Sequence, residues 1–339
     1  MLVAGQGSIK KNGLYEKIQG IADVQLWDVQ PNPTLSKVKE GIALAKQHTV
    51  DAILAVGGGS VIDTAKAIAV GMYTEEVWEY FTKTKPIQQA LPLYVILTLS
   101  ATGSEMNGNA VITNEETKQK WAIRSPLLYP KVTAIDPEVQ KHLPWKQTAC
   151  GAIDTLSHCM EHYFTFTDQE LSIKINESIM STVLESMHVL RQDEQNMLAR
   201  EQLTWCATMA LNGMSGIGTT GDWASHALEH AISAQYPHIA HAYGLSIMFP
   251  YWILHTSKHN HARYAQWAKK VWKKQSVEEG VQAMQHLFAT WQAPVRLRQI
   301  QIPKDAIPAL VQTVMQLGPI GKVQVLTKKD ITQIFENAW

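Results

Sequence analysis

The residues best suited to chemistry in this sequence are one aspartate and a group of histidines in its second half. They form two pairs spaced four apart, with two later histidines: Asp154 and His158, His226 and His230, then His238 and His241. On a helix, residues four apart share a face, so each pair can reach one ion. Neutral imidazoles with one carboxylate suit Zn²⁺ or Fe²⁺. The pattern predicts a shared metal site, and the spacing leaves open which three histidines bind.

A glycine-rich turn in the first half is the second candidate site. Residues 56–60 read Val-Gly-Gly-Gly-Ser and lie between a strand-like run and a helical segment. Glycines let the backbone approach a ligand closely, and the N–H groups at a helix start favour a phosphate. The turn matches neither G-x-G-x-x-G nor a P-loop, so a tight turn without a ligand is the alternative. A second turn, at 98–105, also follows a strand-like run, and the two together favour a dinucleotide site.

Two kinds of secondary structure must position these residues. Short apolar runs at 51–56, 93–99 and 132–135 alternate with helical segments such as 61–72, which predicts a parallel sheet covered on both faces. After residue 144 the predicted elements are helices, at 147–164, 169–191, 195–212, 222–235 and 260–289. We therefore predict an α/β domain over 1–144 and an all-helical domain over 145–339. Ligands bind at the carboxyl ends of parallel strands, so the active site should lie between the halves.

Composition narrows the classes of function. The 339 residues include 30 basic and 30 acidic side chains, and this balance argues against nucleic acid and anionic membrane as partners. The sequence has no apolar stretch of membrane-spanning length and no signal-peptide pattern. Cys150, Cys159 and Cys206 are an odd number without CxxC spacing, so we expect no disulfide framework. The expected class is a soluble protein of the reducing cytoplasm.

Together, four motifs resemble those of the iron-containing (group III) alcohol dehydrogenase family. They are Gly57-Gly-Gly-Ser-Val-Ile-Asp-Thr-Ala-Lys66, Ala101-Thr-Gly-Ser-Glu105, Asp154-xxx-His158, and Asp222-Trp-Ala-Ser-His226-xxx-His230 with His241. The sequence most resembles the branch of NADPH-dependent butanol dehydrogenases and aldehyde reductases. The resemblance implies a Rossmann-like α/β dinucleotide-binding domain, followed by an all-helical domain like that of dehydroquinate synthase. It also implies a homodimer, and a first domain without the family's usual N-terminal segment.

The same resemblance implies roles for individual residues. One divalent metal per chain, Fe²⁺ or Zn²⁺, would be held by Asp154, His158, His226 and His241. The implied catalytic residues are His230, beside the nicotinamide and off the metal, and Asp63, near the nicotinamide amide. By spacing alone, His230 is equally a metal ligand, with His241 as a bystander. The implied cofactor contacts are Gly5, Gly7, Ser8, Asn32 at the adenosine ribose, Gly58, Gly59, Ser60, Asp63, Thr98, Thr102 and Lys120.

The first turn of the chain bears on cofactor choice. Residues 4–8 read Ala-Gly-Gln-Gly-Ser and are followed by Lys10 and Lys11. This turn resembles that of the NADP-preferring branch, whereas NAD-preferring branches tend to have an acidic residue there. Small residues beside two lysines favour a 2′-phosphate. We therefore expect NADP(H) to be preferred to NAD(H).

The implied reaction is reversible hydride transfer between nicotinamide and an aldehyde, with the metal as Lewis acid on the substrate oxygen. The alternatives are a lyase related to dehydroquinate synthase and a catalytically inactive metal-binding relative. A lyase of that kind needs basic residues for an acidic, phosphorylated substrate, and the region around the predicted metal ligands is poor in Lys and Arg. A small aldehyde or alcohol is therefore the expected substrate.

Overall fold

The first half of the chain is an α/β unit. The computed structural model describes residues 1–339, except for the side chains of Ser8 and Lys11. The elements of this half are β1 (Leu2–Ala4), α1 (Ser8–Lys11), α2 (Leu14–Ile18), β2 (Gln25–Leu26), α3 (Leu35–Gln47), β3 (Ile53–Gly57), α4 (Gly59–Gly71), α5 (Trp78–Phe81), β4 (Leu93–Leu97), β5 (Asn109–Asn114), β6 (Gln119–Arg124) and β7 (Val132–Ile135).

Five of these strands form one parallel sheet, in the order β2-β1-β3-β4-β7. The predicted strands at 51–56, 93–99 and 132–135 correspond to β3, β4 and β7, and the predicted helix at 61–72 corresponds to α4. The core of this half contains apolar side chains from β1, β3 and β4 together with those of α3 and α4. The parallel sheet expected from the sequence is therefore confirmed.

An antiparallel hairpin of β5 and β6 was not predicted. Its register pairs Asn109 with Arg124 and Asn114 with Gln119. The run from 109 to 124 is interrupted by charged and polar residues, and this hides its alternation in the sequence. The hairpin lies against the second half of the chain, where β6 packs on a helix, and it thereby brings Lys120 to that half.

The second half is helical. Its helices are α6 (Trp145–Tyr163), α7 (Glu170–Gln192), α8 (Met197–Leu211), α9 (Ala224–Gln235), α10 (His241–Thr256), α11 (His261–Lys270), α12 (Val277–Thr290), α13 (Ile307–Met315) and α14 (Lys328–Ala338). Within the described residues this half has no strand, which confirms the all-helical prediction. Helix α6 begins one residue after the predicted division at 144, and the division itself stays a prediction.

The helical prediction was wrong in three details. The segment 260–289 is two helices, α11 and α12, because the chain turns at Lys273, where φ is 55°. Helix α10 was missed because it is apolar on nearly every face and contains Pro250, so it has no amphipathic periodicity. Such a helix is buried all round, and α10 packs against α6, α9, α12 and α14. Helices α13 and α14 were also missed.

Each half has its own apolar core. One cluster of buried side chains is confined to residues 149–338, and two others are confined to residues 2–128. Cys150, Cys159 and Cys206 are free thiols, so the expected lack of a disulfide framework is confirmed for these residues. Among the described helices, none combines the length and apolarity that crossing a bilayer requires.

A buried lysine fastens the segment after β4 to α4. Lys66 is fully buried, and its Nζ donates to three backbone carbonyl oxygens at 2.7–2.8 Å, those of Ser104, Asn107 and Asn109. Asp63, one helical turn earlier, accepts a hydrogen bond from Ser104 Oγ at 2.6 Å. Burial lowers the pKa of Lys66 to about 8, against the opposing effect of the Asp63 charge. The Asp-x-x-Lys part of the first motif thus fixes the position of the second turn.

Replacing Lys66 by Met tests this structural role. The variant keeps the length of the side chain but leaves several buried carbonyl oxygens and the Asp63 carboxylate without their cation. We expect the free energy of unfolding to fall by about 3–5 kcal/mol, which is typical for breaking a buried charged pair. Urea unfolding followed by tryptophan fluorescence measures this change.

The matched control is Lys39→Met. Lys39 is half-exposed and pairs with Glu76 on the surface, where ion pairs contribute about 0–1 kcal/mol. Equal unfolding midpoints for the two variants would contradict the role assigned to Lys66.

Candidate active site

Four side chains from three helices of the second half converge on one point. Asp154 and His158 lie on one face of α6, His226 is in the first turn of α9, and His241 is the first residue of α10. Asp154 Oδ1 lies close to three histidine Nε2 atoms: 3.6 Å from His158, 4.0 Å from His226 and 3.7 Å from His241. The structure therefore brings together the four residues that the sequence analysis named as metal ligands.

This donor set has the chemistry of a metal site. Asp154 Oδ1 and His226 Nε2 are buried and have no hydrogen-bond partner among the described residues. A tetrahedral ion with ligands at about 2.0–2.1 Å holds its ligand atoms about 3.3–3.4 Å apart, close to the spacing in this cluster. A buried carboxylate oxygen without a donor is costly, and a cation removes that cost. The residues fit one divalent cation.

Two buried glutamates orient the imidazole rings. Glu161 Oε1 lies 2.6 Å from His226 Nδ1, and Glu229 Oε2 is hydrogen-bonded to His241 Nδ1. A carboxylate on Nδ1 fixes the tautomer that leaves Nε2 free to bind a metal. The sequence analysis missed both glutamates. Their spacing was a usable signal, since Glu161 lies two turns after Asp154 on α6 and Glu229 lies one turn after His226 on α9.

Burial and these carboxylates set the charge of the cluster. Burial lowers the pKa of His158 to about 3, so its ring is neutral at pH 7. Burial also opposes a charge on His226, but the hydrogen bond and charge of Glu161 raise the pKa of this histidine. Burial alone would raise the pKa of Glu229, yet the nearby His241 and Lys120 lower it well below its usual range. The buried Glu229 carboxylate is thus held next to the positive charge of Lys120.

His230 lies beside the cluster. It follows His226 by one helical turn, and its ring centroid is 6.4 Å from that of His226 and 5.6 Å from that of His241. Among the described residues, no nitrogen of His230 comes within 4.0 Å of an Asp154 oxygen, unlike those of the other three histidines. Burial, followed by the charge of Lys120, lowers the pKa of His230 well below its usual value. The ring is therefore neutral at pH 7.

The turns expected to hold a dinucleotide lie along one edge of the sheet. Gly5, Gly58 and Thr98 follow the carboxyl ends of β1, β3 and β4, which are neighbours in the sheet. Helix α4 begins after Gly58 without a side-chain cap, and its first backbone hydrogen bonds are donated by Val61 and Ile62, so the N–H groups of Gly59 and Ser60 are available to an anion. A Cβ on Gly59 would lie 2.5 Å from Thr102, so only glycine lets these two turns approach so closely.

This sheet edge adjoins the metal-type cluster. A Cβ on Gly151 would lie 2.3 Å from the carbonyl oxygen of Ser100, which places the turn after β4 directly against α6. Gly151 is one helical turn before Asp154 on that helix. A dinucleotide at the strand ends would therefore extend toward the Asp154 cluster, as the sequence analysis expected of a site between the two halves.

Comparison with known proteins agrees with this arrangement. A family model described as iron-containing alcohol dehydrogenase matches residues 1–137, and one for the C-terminal part of the Fe-containing alcohol dehydrogenase family matches residues 148–339. The chain belongs to the iron-containing alcohol dehydrogenase family. The resemblance inferred from the four motifs is therefore confirmed.

Several members of this family are similar over nearly the whole chain. The probable NADH-dependent butanol dehydrogenase 1 of Bacillus subtilis is 40% identical over 99% of this chain and 91% of its own length. The NADPH-dependent aldehyde reductase of Escherichia coli is 31% identical over 98% of this chain and 89% of its own. The structure of the NADH-dependent butanol dehydrogenase A of Thermotoga maritima superposes with a TM-score of 0.96, at 42% identity, covering 99% of this chain and 90% of that one.

In this protein both carboxylate oxygens of Asp63 accept hydrogen bonds from protein groups. Its Oδ1 accepts a hydrogen bond from Ser104 Oγ at 2.6 Å and its Oδ2 accepts one from the Val111 N–H at 2.9 Å. Burial raises the pKa of this carboxyl group, against the charge of Lys66. Its expected place near the nicotinamide amide stays a prediction, because the contacts observed here are all to the protein.

Two further residues expected to contact the cofactor, Asn32 and Lys120, are hydrogen-bonded within the protein. The Asn32 side chain donates to the carbonyl oxygens of Pro237 and Ile239, at 3.0 and 2.9 Å, so both amide protons are used within the protein. The expected place of Asn32 near the adenosine ribose stays a prediction. Lys120 is buried beside Glu229 and His241, and its expected contact with the cofactor also stays a prediction. The expected contact of the Ser8 side chain lies outside the described residues.

The indole of Trp223 lies beside the Asp154 cluster, and the sequence analysis did not single out this residue. The ring centroid of Trp223 is 5.3 Å from that of His226, 5.4 Å from that of His162 and 6.4 Å from that of His158. Its backbone has φ 65°, a strained value for a bulky residue, and its N–H donates to Glu161 Oε2 at 2.5 Å. Glu161 therefore positions both His226, a predicted metal ligand, and Trp223, the aromatic residue packed beside it.

Proposed function

We propose that this protein reduces small aldehydes to primary alcohols, reversibly, with NAD(P)H as hydride donor and one divalent metal as Lewis acid. In the forward direction the carbonyl carbon takes a hydride and the oxygen takes a proton, giving alcohol and NAD(P)⁺. The contact of the dinucleotide-type sheet edge with α6, at Ser100 and Gly151, is the observation that carries this proposal. Relatives named butanol dehydrogenase and aldehyde reductase support the substrate class.

We assign the metal to Asp154, His158, His226 and His241. A divalent cation at this point would polarise the carbonyl oxygen of the substrate, which favours hydride arrival at the adjacent carbon. The chain itself holds the four donor atoms, and Glu161 and Glu229 fix two of the rings through Nδ1. The Trp223 indole covers the cluster and helps to exclude water from it. Either Fe²⁺ or Zn²⁺ suits this donor set.

A lyase acting on an acidic, phosphorylated substrate is not favoured. Such a substrate needs several free cations at the site. Near the proposed metal ligands, Lys120 is a cation in contact with a ligand, and its charge faces the buried Glu229 carboxylate. The names of the relatives also indicate dehydrogenases and reductases. We further propose a homodimer, since the edge strand β7 leaves Val132 62% exposed and its outer backbone groups free for pairing.

The metal assignment predicts the behaviour of Asp154→Asn. This change removes the only negative charge of the donor set, so bound metal should fall well below one equivalent per chain and butanal-dependent NADPH oxidation should be abolished. Elemental analysis and the absorbance at 340 nm measure the two effects.

Asp168→Asn is the matched control, because Asp168 is an exposed carboxylate outside the cluster. It should retain full metal and activity. A metal-replete Asp154→Asn protein would exclude Asp154 as a ligand.

We propose NADPH over NADH as the preferred cofactor. The support is the turn at residues 4–8, which has no acidic side chain to repel a 2′-phosphate. Lys10 lies next to this turn, but its Nζ is 4.1 Å from the Trp27 ring centroid and makes a cation–π contact there. Relatives divide on the point, since those from Bacillus subtilis and Thermotoga maritima are named NADH-dependent and that from Escherichia coli NADPH-dependent. The charge of the turn therefore needs a direct test.

The variants Gly7→Asp and Gly7→Asn provide that test. Gly7 has φ 95°, so any side chain strains the backbone there, and the Asn variant matches the Asp variant in strain and size but not in charge. The ratio of kcat/KM for NADPH to that for NADH should be lower by about tenfold or more in the Asp variant than in the Asn variant, because like charges repel. Equal ratios in the two variants, or a wild-type protein that uses NADH as well as NADPH, would contradict the preference.

We propose that His230 acts beside the nicotinamide and off the metal. Its support is the position one turn from His226, outside the group of atoms around Asp154 Oδ1. A neutral ring at this place can pass a proton toward the oxygen of the product alcohol. His230 also lies with Glu229 and His241 in a second group whose donor atoms are within 4.8 Å of one another, so a ligand role is the competing interpretation.

Two alanine variants separate these interpretations. His230→Ala should keep its metal while kcat falls, by the roughly 10²–10⁴-fold typical of an acid–base group. His241→Ala should lose its metal. Elemental analysis of both proteins with steady-state kinetics checks the pair, and a metal-free His230→Ala beside a metal-replete His241→Ala would reverse the assignment.

A further inference from the structure

Two residues of the α/β half reach across to the ligand His241. Lys120 Nζ lies 3.5 Å from Glu229 Oε2 and 3.4 Å from His241 Nδ1. It also donates to Asn32 Oδ1 at 3.0 Å. Asn32 in turn donates to the carbonyl oxygens of Pro237 and Ile239, in the loop that leads to His241. Apart from the hydrogen bond between Lys120 and Asn32, these contacts cross from the first half of the chain to the second.

The buried charges of Lys120 and Glu229 stabilise each other. The side chains of Glu229 and Lys120 are 0% and 5% exposed, so neither charge is compensated by water. An imidazole that binds a metal through Nε2 is neutral, and it then gives the Glu229 carboxylate a hydrogen bond but no charge. Lys120 is the cation in contact with this carboxylate, and removing one partner of a buried pair is strongly destabilising. Without Lys120, the buried Glu229 carboxylate would lose the cation that it contacts, and it would hold the His241 ring less firmly in its orientation.

The contact between Asn32 and the loop before α10 also fixes backbone conformation. Asn32 has φ 55°, a left-handed conformation that asparagine tolerates better than most residues. Its two amide hydrogen bonds fix the loop immediately before α10, and His241 is the first residue of that helix. Asp154, His158 and His226 lie within α6 and α9, and among the described residues no side chain of the first half is hydrogen-bonded to them.

We propose that Asn32 and Lys120 are positioning residues that set the fourth metal ligand, so that metal retention depends on docking of the dinucleotide-binding half. This inference rests on the proposed metal site and extends it. The pair acts through Glu229 and through the loop before α10, and neither residue touches the metal. This role toward the metal is additional to the cofactor contacts that the sequence analysis expected of both residues, which stay a prediction.

The test measures metal release without substrate or nicotinamide. Zinc-loaded protein is mixed with a chromophoric chelator, and the first-order rate of Zn²⁺ transfer is recorded. Lys120→Met should release Zn²⁺ about 10–100-fold faster than wild type, the usual effect of removing a partner behind a metal ligand. Lys131→Met, which removes an exposed lysine of the same half, should release Zn²⁺ at the wild-type rate.

Asn32→Gly is the second variant, because glycine adopts φ 55° without strain and only the side chain is lost. This variant should also release Zn²⁺ faster than wild type. In the double variant the increase in release rate should be smaller than the product of the two single increases, because Asn32 and Lys120 share a hydrogen bond. Circular dichroism confirms that each protein is folded, and fluorescence titration with NADPH gives cofactor affinity.

The outcomes are distinct. Wild-type release rates in Lys120→Met and Asn32→Gly, with weakened NADPH binding alone, would overturn the proposal and make both residues cofactor contacts. A wild-type protein that binds no zinc would overturn the metal site and this inference with it. If the wild-type protein binds zinc and both variants release it at the wild-type rate, only the inference is overturned and the proposed metal site stands.

Discussion

The active site depends on one buried carboxylate oxygen surrounded by imidazole nitrogen atoms. Asp154 Oδ1 has three histidine Nε2 atoms within 4.0 Å and no hydrogen-bond donor of its own among the described residues. Such an oxygen is costly in a protein interior, and a bound cation removes that cost. The helices around it are arranged so that α6, α9 and the start of α10 deliver their side chains to this point. The divalent cation that we propose would therefore stabilise the helical half as well as supply its chemistry.

Buried polar contacts transmit this constraint to the rest of the molecule. In the helical half, Glu161 joins His226 to the backbone of Trp223. Across the two halves, Lys120 meets Glu229 behind His241. In the α/β half, Lys66 binds the segment after β4 to the helix that follows the glycine turn. Each contact replaces water with a fixed partner, so the metal ligands and the dinucleotide turns are positioned by side chains that need not touch either ligand.

Much of this arrangement follows from the sequence alone. The parallel sheet and the helical second half were predictable, because strand and helix periodicity are local signals, and i, i+4 spacing indicated a site shared by Asp154 and several histidines. The choice of His241 as the fourth proposed ligand came from the family resemblance. Helix α10 was not, since a helix buried all round has no amphipathic pattern. The partners of Asn32 and Lys120 were not predictable either. They lie 205 and 109 residues away along the chain, and no local pattern encodes which buried charge a lysine will meet. Family resemblance suggested cofactor contacts at these positions, whereas their actual neighbours became visible only in the folded chain.

The central claim is that one divalent metal at the Asp154 cluster makes this protein an aldehyde reductase. The most direct measurement is a titration of metal-depleted wild-type protein with Fe²⁺ under anaerobic conditions, or with Zn²⁺, while butanal-dependent oxidation of NADPH is followed. Our account predicts no turnover without metal and a linear rise that stops at one equivalent per chain. Full turnover by the metal-depleted protein, or a rise that continues to a second equivalent, would contradict it.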